Sequence, residues 1–497
     1  MDSQPPVKIH SGTPGLDEVL HGGFTSGQTT VVSGGPGTGK TIIGLQFLAT
    51  GDSGLYIGFE EREDQLRQNA TALGIDLSNI TILDLSAKAD RFFNDNDYTI
   101  FPSEEVEGEE LIEQIVSALN ATKFDRLVID PLSELRALLP DDFQFRRNIS
   151  SLFNELSDRS VTTLCTAQPA DKHVESDLQF LSNTAIELQY TNDRRTLEVT
   201  KYRGSEFAAG SHTYRIHTGT GGHVYPKLVP GDHQREYDRT QLSSGLESLD
   251  RLIGGGLERG SVTVISGPSG VGKTTTGSYF LQSAAARGER ALAYLFEELR
   301  ADYLYRSTQL GMQLEQFTDE GTLEIKEIEA LSKTPDEFAA HVQTAVEDCN
   351  VEFVMIDGTA GYRQSLRGDD SPAQLTREIH ALCRYLKRMG VTVILIEEIS
   401  AITGEFAPTT HQISYLADNL VFLRYLEIEG GMQKAIGVLK KRYSGFETSL
   451  RQLSIDTDGL HIGSPLSGYQ GLLTGIAKPI ESAHGKKINN ETDYQTD

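Results

Sequence analysis

Tryptophan is absent from this sequence, and cysteine is rare. The three cysteines, Cys165, Cys349 and Cys383, lack the spacing of metal ligands, so we expect reduced, buried thiols. Long apolar runs are also missing, since the run VTVILI at 391–396 has the length of a buried strand. The start, MDSQPPVKIH, lacks the charged and apolar regions of a secretory signal. These absences predict a cytoplasmic protein without a membrane partner.

Basic residues are scarce relative to acidic ones. Lysine and arginine number 45 against 71 aspartates and glutamates, which gives a net charge of −26. Such a surface repels nucleic-acid phosphates and anionic membranes, so nucleic acid is not an expected partner. The acidity is spread along both halves of the chain and resembles that of proteins from salt-loving archaea. Simple solubility remains the alternative explanation.

The chain contains an internal repeat. The segment PGLDEVLHGGFTSGQTTVVSGGPGTGKT at 14–41 returns as ESLDRLIGGGLERGSVTVISGPSGVGKT at 247–274. Three later matches follow in the same order, LYIGFEE with AYLFEE, RLVID with FVMID, and VTKYRGS with VLKKRYS. A repeat of this length is a domain and not a solenoid unit. We predict domains at 1–235 and 236–463, followed by a polar, flexible tail at 464–497.

Each repeat alternates short β-rich runs with helical stretches. QTTVVSG is predicted to be a strand, the segment after Lys40 a helix, and LVID and VTTLCTA further strands. Strands that alternate with helices imply an α/β fold with a mostly parallel sheet covered on both faces.

Two glycine-rich loops carry the strongest chemical signal. GGPGTGKT at 34–41 and GPSGVGKT at 267–274 each follow a predicted strand and open a predicted helix, which is the context of a phosphate-binding loop. The glycines let backbone N–H groups point at phosphate oxygens, and the lysine reaches the β- and γ-phosphates. We therefore predict ATP as the ligand of both loops. The residues predicted to bind it are Gly35, Gly37, Thr38, Gly39, Lys40 and Thr41, and Ser269, Gly270, Val271, Gly272, Lys273, Thr274 and Thr275.

Carboxylates end the strands that follow each loop. Asp130 and Asp357 close LVID and VMID, where a carboxylate can hold Mg²⁺ together with the loop hydroxyl of Thr41 or Thr274. A helix-capping aspartate is the alternative for this position.

The paired glutamates Glu60-Glu61 and Glu297-Glu298 end the next strands, directly after a phenylalanine. ATP hydrolysis needs a carboxylate that orients and deprotonates water. Adjacent carboxylates are also expected to raise each other's pKa. Their recurrence in both repeats favours this role over that of a solvated acidic pair.

Two cations lie near the end of each repeat, Lys201 with Arg203 and Lys440 with Arg442. Alternate residues of a strand share a face, so each pair projects together and suits a nucleotide phosphate. A solvated basic edge remains open as the alternative.

These motifs resemble those of KaiC-type proteins in the RecA/RadA/DnaB superfamily of ATPases. The resemblance covers about 14–228 and 241–463. It is carried by SGTPGLDEVLHGG, GGPGTGKT, GFEEREDQL and VTKYRGS in the first repeat, and by LESLDRLIGGG, GPSGVGKTT, LFEELRADYL and VLKKRYSGF in the second. It implies two tandem RecA-like P-loop domains, each a mostly parallel twisted sheet flanked by helices. It also implies a hexameric double ring with ATP between subunits, the glutamate pairs in water activation, and the Lys/Arg pairs on the neighbour's ATP.

In the clock members of that family, the second domain phosphorylates itself on adjacent serine and threonine. Ser414 matches that serine, but Tyr415 replaces the threonine, and Tyr443 stands where the family pattern has glycine. Ser414 is thus a candidate phosphorylation site, and an ordinary loop serine is the alternative.

Three functions compete at this point. The first is a signalling or timing ATPase with an unidentified partner protein, whose second domain is a candidate serine autokinase. The second is a DNA recombinase or helicase motor, which the charge of −26 and the lack of basic stretches with interleaved aromatics disfavour. The third is a nucleotide-gated scaffold with slow hydrolysis.

Overall fold

The computed structural model describes residues 6–86, 114–121, 123–135, 142–168, 178–329, 332–365, 372–399, 415–428, 430–472 and 478–479. The chain divides into two compact units, Met1–Lys227 and Leu228–Asp497. The predicted boundary between residues 235 and 236 stays a prediction.

The first unit is built on a nine-stranded sheet in the order β11-β10-β9-β8-β3-β7-β6-β4-β5. The six strands from β8 to β5 in this order, namely β8, β3, β7, β6, β4 and β5, are parallel to one another. Strands β9, β10 and β11 are added to the β8 edge, each antiparallel to its neighbour. The strands are β3 (Thr29–Gly34), β4 (Gly54–Gly58), β5 (Ile80–Asp84), β6 (Arg126–Asp130), β7 (Thr162–Ala167), β8 (Thr184–Thr191), β9 (Arg194–Tyr202), β10 (Ser211–His217) and β11 (Gly221–Tyr225), with β1 (Lys8–Ile9) and β2 (Phe24–Thr25) as a separate pair. The helices are α1 (Leu16–Val19), α2 (Lys40–Ala49), α3 (Glu63–Ala72) and α4 (Asp142–Asp158), with residues 114–121 also helical and a 3₁₀ turn at Leu132–Glu134.

The central strands are buried on both faces, which explains their nearly continuous apolar sequences. Val32 and Val128 contribute to the core on one face of the sheet, together with Ile43 and Phe47 of α2. Val31, Leu55 and Ile129 contribute to a second core on the opposite face, together with Phe145 and Ile149 of α4. Strand β3 lies between β7 and β8, so the loop after it opens at the carboxyl end of the sheet centre.

The second unit repeats this topology, with the sheet order β16-β15-β17-β18-β14-β19-β20-β21-β22. Its strands are β12 (Gln241–Leu242), β13 (Leu257–Glu258), β14 (Val262–Gly267), β15 (Ala291–Leu295), β16 (Leu323–Glu327), β17 (Phe353–Asp357), β18 (Thr392–Glu398), β19 (Asn419–Ile428), β20 (Gly431–Lys441), β21 (Arg451–Asp456), β22 (Gly459–Pro465), β23 (Tyr469–Gln470) and β24 (Lys478–Pro479). Its helices are α5 (Glu247–Leu252), α6 (Lys273–Ala286), α7 (Arg300–Gln309), α8 (Leu314–Asp319), α9 (Pro335–Glu347), α10 (Thr359–Ser365) and α11 (Pro372–Arg388), with a 3₁₀ turn at Pro230–Asp232. The predicted α/β class with two mostly parallel sheets is confirmed in both units.

Residues 230–240, which include the predicted domain boundary, pack against α11 within the second unit. Arg235 N donates to Arg388 O at the end of α11, and Arg388 Nε donates to His233 O. The His233 ring lies edge-on to Tyr385, with 5.0 Å between ring centroids. This segment is therefore an ordered strap over α11.

Two further features bear on the sequence expectations. Cys165 and Cys383 are buried thiols as expected, whereas Cys349 is exposed because it follows the end of α9 in a turn.

Part of the segment 464–497 is described, and there β23 pairs with β24 while Leu472 joins a small core with Leu426. The rest of that segment lies outside the described residues.

Candidate functional site

The two glycine-rich loops have the same backbone form. Gly37 and Gly39 have φ angles of 72° and 100°, and Gly270 and Gly272 have 72° and 115°. Gly39 and Gly272 are the N-caps of α2 and α6, so each loop turns in left-handed conformation directly into a helix N-terminus. A Cβ atom at Gly272 would also clash with Ile455 Cδ1. Each loop therefore has the backbone form of an anion cradle, in which N–H groups at a helix N-terminus can bind an anion.

The loop lysines are buried beneath this cradle. Lys40 and Lys273 are each 8% exposed. Lys40 Nζ donates to Gly34 O at 2.7 Å and to Gly35 O at 3.0 Å, and burial lowers its pKa while Asp130 and Glu60 oppose that shift. Lys273 Nζ donates to Pro268 O at 2.9 Å and forms an ion pair with Glu398 at 3.7 Å. Both ammonium groups therefore lie where a polyphosphate on the cradle would meet them.

The strand-tip aspartates differ in their contacts. Asp130 accepts hydrogen bonds from the hydroxyls of Tyr56, at 2.8 Å, and of Thr166. Burial raises the pKa of Asp357 to about 6, although the nearby Thr274 hydroxyl opposes this shift. In the second repeat the two predicted Mg²⁺ ligands, Thr274 and Asp357, therefore lie close to each other.

In the first repeat, both glutamates of the pair are held by amide side chains. Gln168 Nε2 donates to Glu60 Oε1 at 2.6 Å, and the Asn69 amide donates to Glu61. The pKa values of both carboxyls are raised, first by partial burial and also by the charge of Asp130. The direction of the shift is the expected one, but its causes are burial and the charge of Asp130, and not the adjacent glutamate.

The second pair is held differently. Gly361 N donates to Glu297 Oε1 at 3.0 Å, so α10 orients this carboxylate through its backbone. Glu298 forms an ion pair with Arg306 of α7 at 2.7 Å, and burial raises the pKa of Glu298 although Arg306 opposes the shift. The carboxylates of Glu297 and Asp357 both interact electrostatically with the ammonium group of Lys273.

In each late cation pair the lysine lies in a strand and the arginine follows it, because β9 ends at Tyr202 and β20 at Lys441. The two side chains of each pair nevertheless contact the same segment of the chain. Lys201 Nζ donates to the carbonyls of Gln179, Phe180 and Ser182, and Arg203 donates to Phe180 O at 3.1 Å.

In the second repeat, Lys440 Nζ donates to Ala417 O at 2.6 Å, and Arg442 lies 3.3 Å from the buried carboxylate of Asp418. Both cation pairs therefore contact the chain segment that precedes β8 or β19 of their own unit. Ser414 lies outside the described residues.

The structure adds a contact that the sequence reasoning missed. Arg195 Nε donates to Gly37 O at 3.0 Å and lies over the Tyr190 ring, 4.5 Å from its centroid.

The second repeat has the same arrangement. Lys434 Nζ donates to Gly270 O at 3.0 Å, and the Tyr425 hydroxyl donates to Ser269 O at 3.4 Å. Tyr190 pairs with Arg195 across β8 and β9, as Tyr425 does with Lys434 across β19 and β20. A tyrosine followed by a cation within each late hairpin was the available sequence signal.

Each unit thus combines a glycine-lined loop after the central strand, a buried lysine, a strand-tip aspartate and a glutamate pair. Together with the sheet order, these features define a P-loop protein with two tandem RecA-like domains. The model of the family described as "ATPase: KaiC" matches residues 9–229 and 242–467, so the chain belongs to the KaiC family of ATPases. Membership in an ATPase family indicates ATP as the nucleotide and ATPase activity as the reaction.

Curated relatives are similar over nearly the whole chain. The circadian clock protein KaiC3 of Synechocystis sp. is 28% identical over 481 residues, covering 94% of this chain and 94% of the relative. The circadian clock oscillator protein KaiC of Parathermosynechococcus lividus is 28% identical, covering 94% of this chain and 87% of the relative. That of Thermostichus vulcanus is 29% identical, covering 95% and 92%.

Among the residues that the structure describes, the helices include none with the combined length and hydrophobicity needed to span a bilayer.

Proposed function

We propose that each chain binds two ATP·Mg²⁺ and hydrolyses ATP as part of a signalling or timing module. The observation that carries this proposal is the duplication of one arrangement, in which a buried loop lysine lies within the electrostatic reach of a strand-tip aspartate and a glutamate. A structural role for the glycine-rich turn does not require a buried ammonium group or the two carboxylates.

Mg²⁺ fits the residues present. Hydroxyl and carboxylate oxygens together with water are its preferred ligands. The Thr274 hydroxyl lies near Asp357, whose pKa it lowers. Thr41 and Asp130 occupy the same motif positions in the first repeat. Bound Mg²⁺ would neutralise charge on the β- and γ-phosphates.

The glutamates would supply the proton acceptor. Gln168 holds Glu60 Oε1, and we assign Oε2 to accept a proton from water. The water oxygen then bonds to the γ-phosphorus while the bond to the leaving oxygen of ADP breaks. Glu297, held by the Gly361 N–H, is the corresponding acceptor in the second repeat, with Glu61 and Glu298 as the second members of the pairs.

Assembly into a homo-hexamer would complete the sites. Lys201 and Arg203 bond only neutral carbonyls in the contacts given above, and a phosphate is a stronger acceptor for both cations. In the second repeat the Arg442 side chain remains 53% exposed although it pairs with Asp418, and we assign the same role to it and to Lys440. We propose that these residues reach the ATP of a neighbouring subunit.

Serine autokinase activity at Ser414 is the finer proposal for the second domain. Its support is the match to the family's serine position, and Tyr415 and Tyr443 weigh against it. A halophilic origin of the acidic surface is proposed on the charge of −26, and it predicts that high salt preserves assembly and activity.

Size measurement with and without ATP and Mg²⁺, with phosphate release followed in the same sample, tests the proposal. A ring that forms with nucleotide and releases phosphate supports the ATPase module. A ring that binds ATP without measurable turnover would favour the slow scaffold. Salt-dependent DNA binding by the assembled protein would favour the recombinase or helicase motor instead.

A further inference from the structure

The two nucleotide sites differ in charge at one equivalent position. Ser33 in β3 pairs with Ala167 in β7, and Ser266 in β14 pairs with Glu397 in β18. The next residue is Gln168 in the first unit and Glu398 in the second. A neutral amide beside the first loop is thus replaced by a carboxylate beside the second.

The contacts of the two side chains differ accordingly. Gln168 donates to Glu60 and leaves Lys40 to bond two loop carbonyls, Gly34 O and Gly35 O. Glu398 instead lies 3.7 Å from Lys273 Nζ, which bonds the carbonyl of Pro268. Pro268 corresponds to Gly35, so both lysines bond the carbonyl at this loop position. Lys273 has Glu398 as a further partner.

This position matters for the charge of the nucleotide. The loop lysine reaches the β- and γ-phosphates of a bound nucleotide. A carboxylate within 4 Å of that ammonium group competes with the phosphates for it and repels them. The repulsion grows with each phosphate charge near the lysine, so it acts on ATP more than on ADP.

We propose that Glu398 is a specificity-determining residue that makes the second site weaker for ATP and less selective for ATP over ADP than the first. Two alternative roles for Glu398 are those of a Mg²⁺ ligand and of a second proton acceptor. Both of these roles require the negative charge of its carboxylate. This inference rests on the proposed function, since it requires that the second loop binds nucleotide.

The test uses full-length chains in which only one loop keeps its lysine. In a Lys40→Ala background, Glu398→Gln should tighten Mg²⁺·ATP binding by about tenfold or more, with a smaller gain for Mg²⁺·ADP, because one charge next to the lysine is removed. The matched converse is Gln168→Glu in a Lys273→Ala background, which should weaken ATP binding by a similar factor. Kd values for both nucleotides are measured by titration calorimetry, and circular dichroism checks that each variant is folded.

The outcomes separate the two proposals. Tighter ATP binding in Glu398→Gln together with weaker binding in Gln168→Glu supports the inference. If the second site of Glu398→Gln binds nucleotide with unchanged or lower affinity, the inference is overturned and the proposed function stays intact. No binding in the Lys40→Ala chain either with or without Glu398→Gln overturns nucleotide binding by the second loop, and the inference fails with it.

Discussion

Gln168 Nε2 lies 2.6 Å from Glu60 Oε1 and donates a hydrogen bond to it. Gln168 follows β7 and Glu60 follows β4, so the bond joins side chains from two strands that β6 separates. It fixes the orientation of one carboxylate in the first site, while partial burial and Asp130 raise the pKa of Glu60. An oriented carboxylate with a raised pKa is suited to accept a proton from water near neutral pH.

The first prediction follows from that pKa. A base must be ionised, so hydrolysis by the first site, isolated in a Lys273→Ala chain, should fall as pH is lowered. The fall should begin at a higher pH than an ordinary glutamate would give, because the pKa of Glu60 is raised.

Changing Glu60 and Glu61 together to Gln should keep ATP bound and slow turnover by roughly 10²–10⁴-fold. Glu297 and Glu298 should respond likewise in the second site, and parental rates in both double variants would contradict the role.

The second prediction concerns stoichiometry. The parent chain should bind two ATP·Mg²⁺, and Lys40→Ala or Lys273→Ala should each remove one site, because each lysine is buried beneath its own loop. Calorimetric titration counts the sites. Lys326→Ala, which removes a partly exposed lysine paired with Glu324, is the matched control and should retain two. Two occupied sites in either loop variant would contradict the assignment.

The third prediction concerns the hairpin that contacts the loop. Arg195→Ala removes a hydrogen bond to Gly37 O and a cation–π contact with Tyr190. We expect the first loop to lose its fixed form and ATP to bind about tenfold more weakly, since a charged hydrogen bond contributes about 1.5–3 kcal/mol. Lys434→Ala should do the same for the second loop only. Unchanged Kd values in both variants would show that the loops hold their form without these cations.

The fourth prediction concerns action between subunits. In a Lys273→Ala background, an Arg203→Ala chain and a Lys40→Ala chain should each be inactive at the first site. Mixed rings should regain some phosphate release, because an intact Lys40 then meets an intact Arg203 of the neighbouring subunit. The composition of the rings is verified by native mass spectrometry. Verified mixed rings that remain inactive would indicate that Arg203 acts within its own chain.

The fifth prediction concerns Ser414. If the second domain is an autokinase, incubation with ATP and Mg²⁺ should add one phosphate that is absent in Ser414→Ala. Phosphorylation adds about −1.5 to −2 charge, enough to alter subunit contacts. Intact-mass measurement decides the matter. An unmodified parent chain in assembled, hydrolysing samples would leave Ser414 as an ordinary loop serine.

Much of the fold could be predicted because its signals are local. The glycine-rich loops, the apolar strands and the repeat spacing each depend on neighbouring residues, and the two sheets confirm the fold class that they indicate. The repeat also placed Asp130, Asp357 and the glutamate pairs on corresponding strands.

The remaining features depend on side chains brought together from distant parts of the chain. Glu398 and Lys273 lie 125 residues apart in the sequence, and no motif spacing indicates that they form an ion pair. The raised pKa of Glu60 comes from burial rather than from its neighbour in sequence. Cys349 lies in a turn after α9, where composition alone gives no measure of exposure. The Arg195 contact needed the register of β8 and β9.

The strap formed by residues 230–240 has a practical consequence for dissecting the chain. A fragment that begins at β12 would retain every loop and carboxylate of the second site, yet it would remove the chain that lies against Tyr385 and Arg388. His233 also lies 3.0 Å from Glu347, so the truncation would strip partners from both α9 and α11. Expression of the second half on its own should therefore start at Leu228, where the second unit begins.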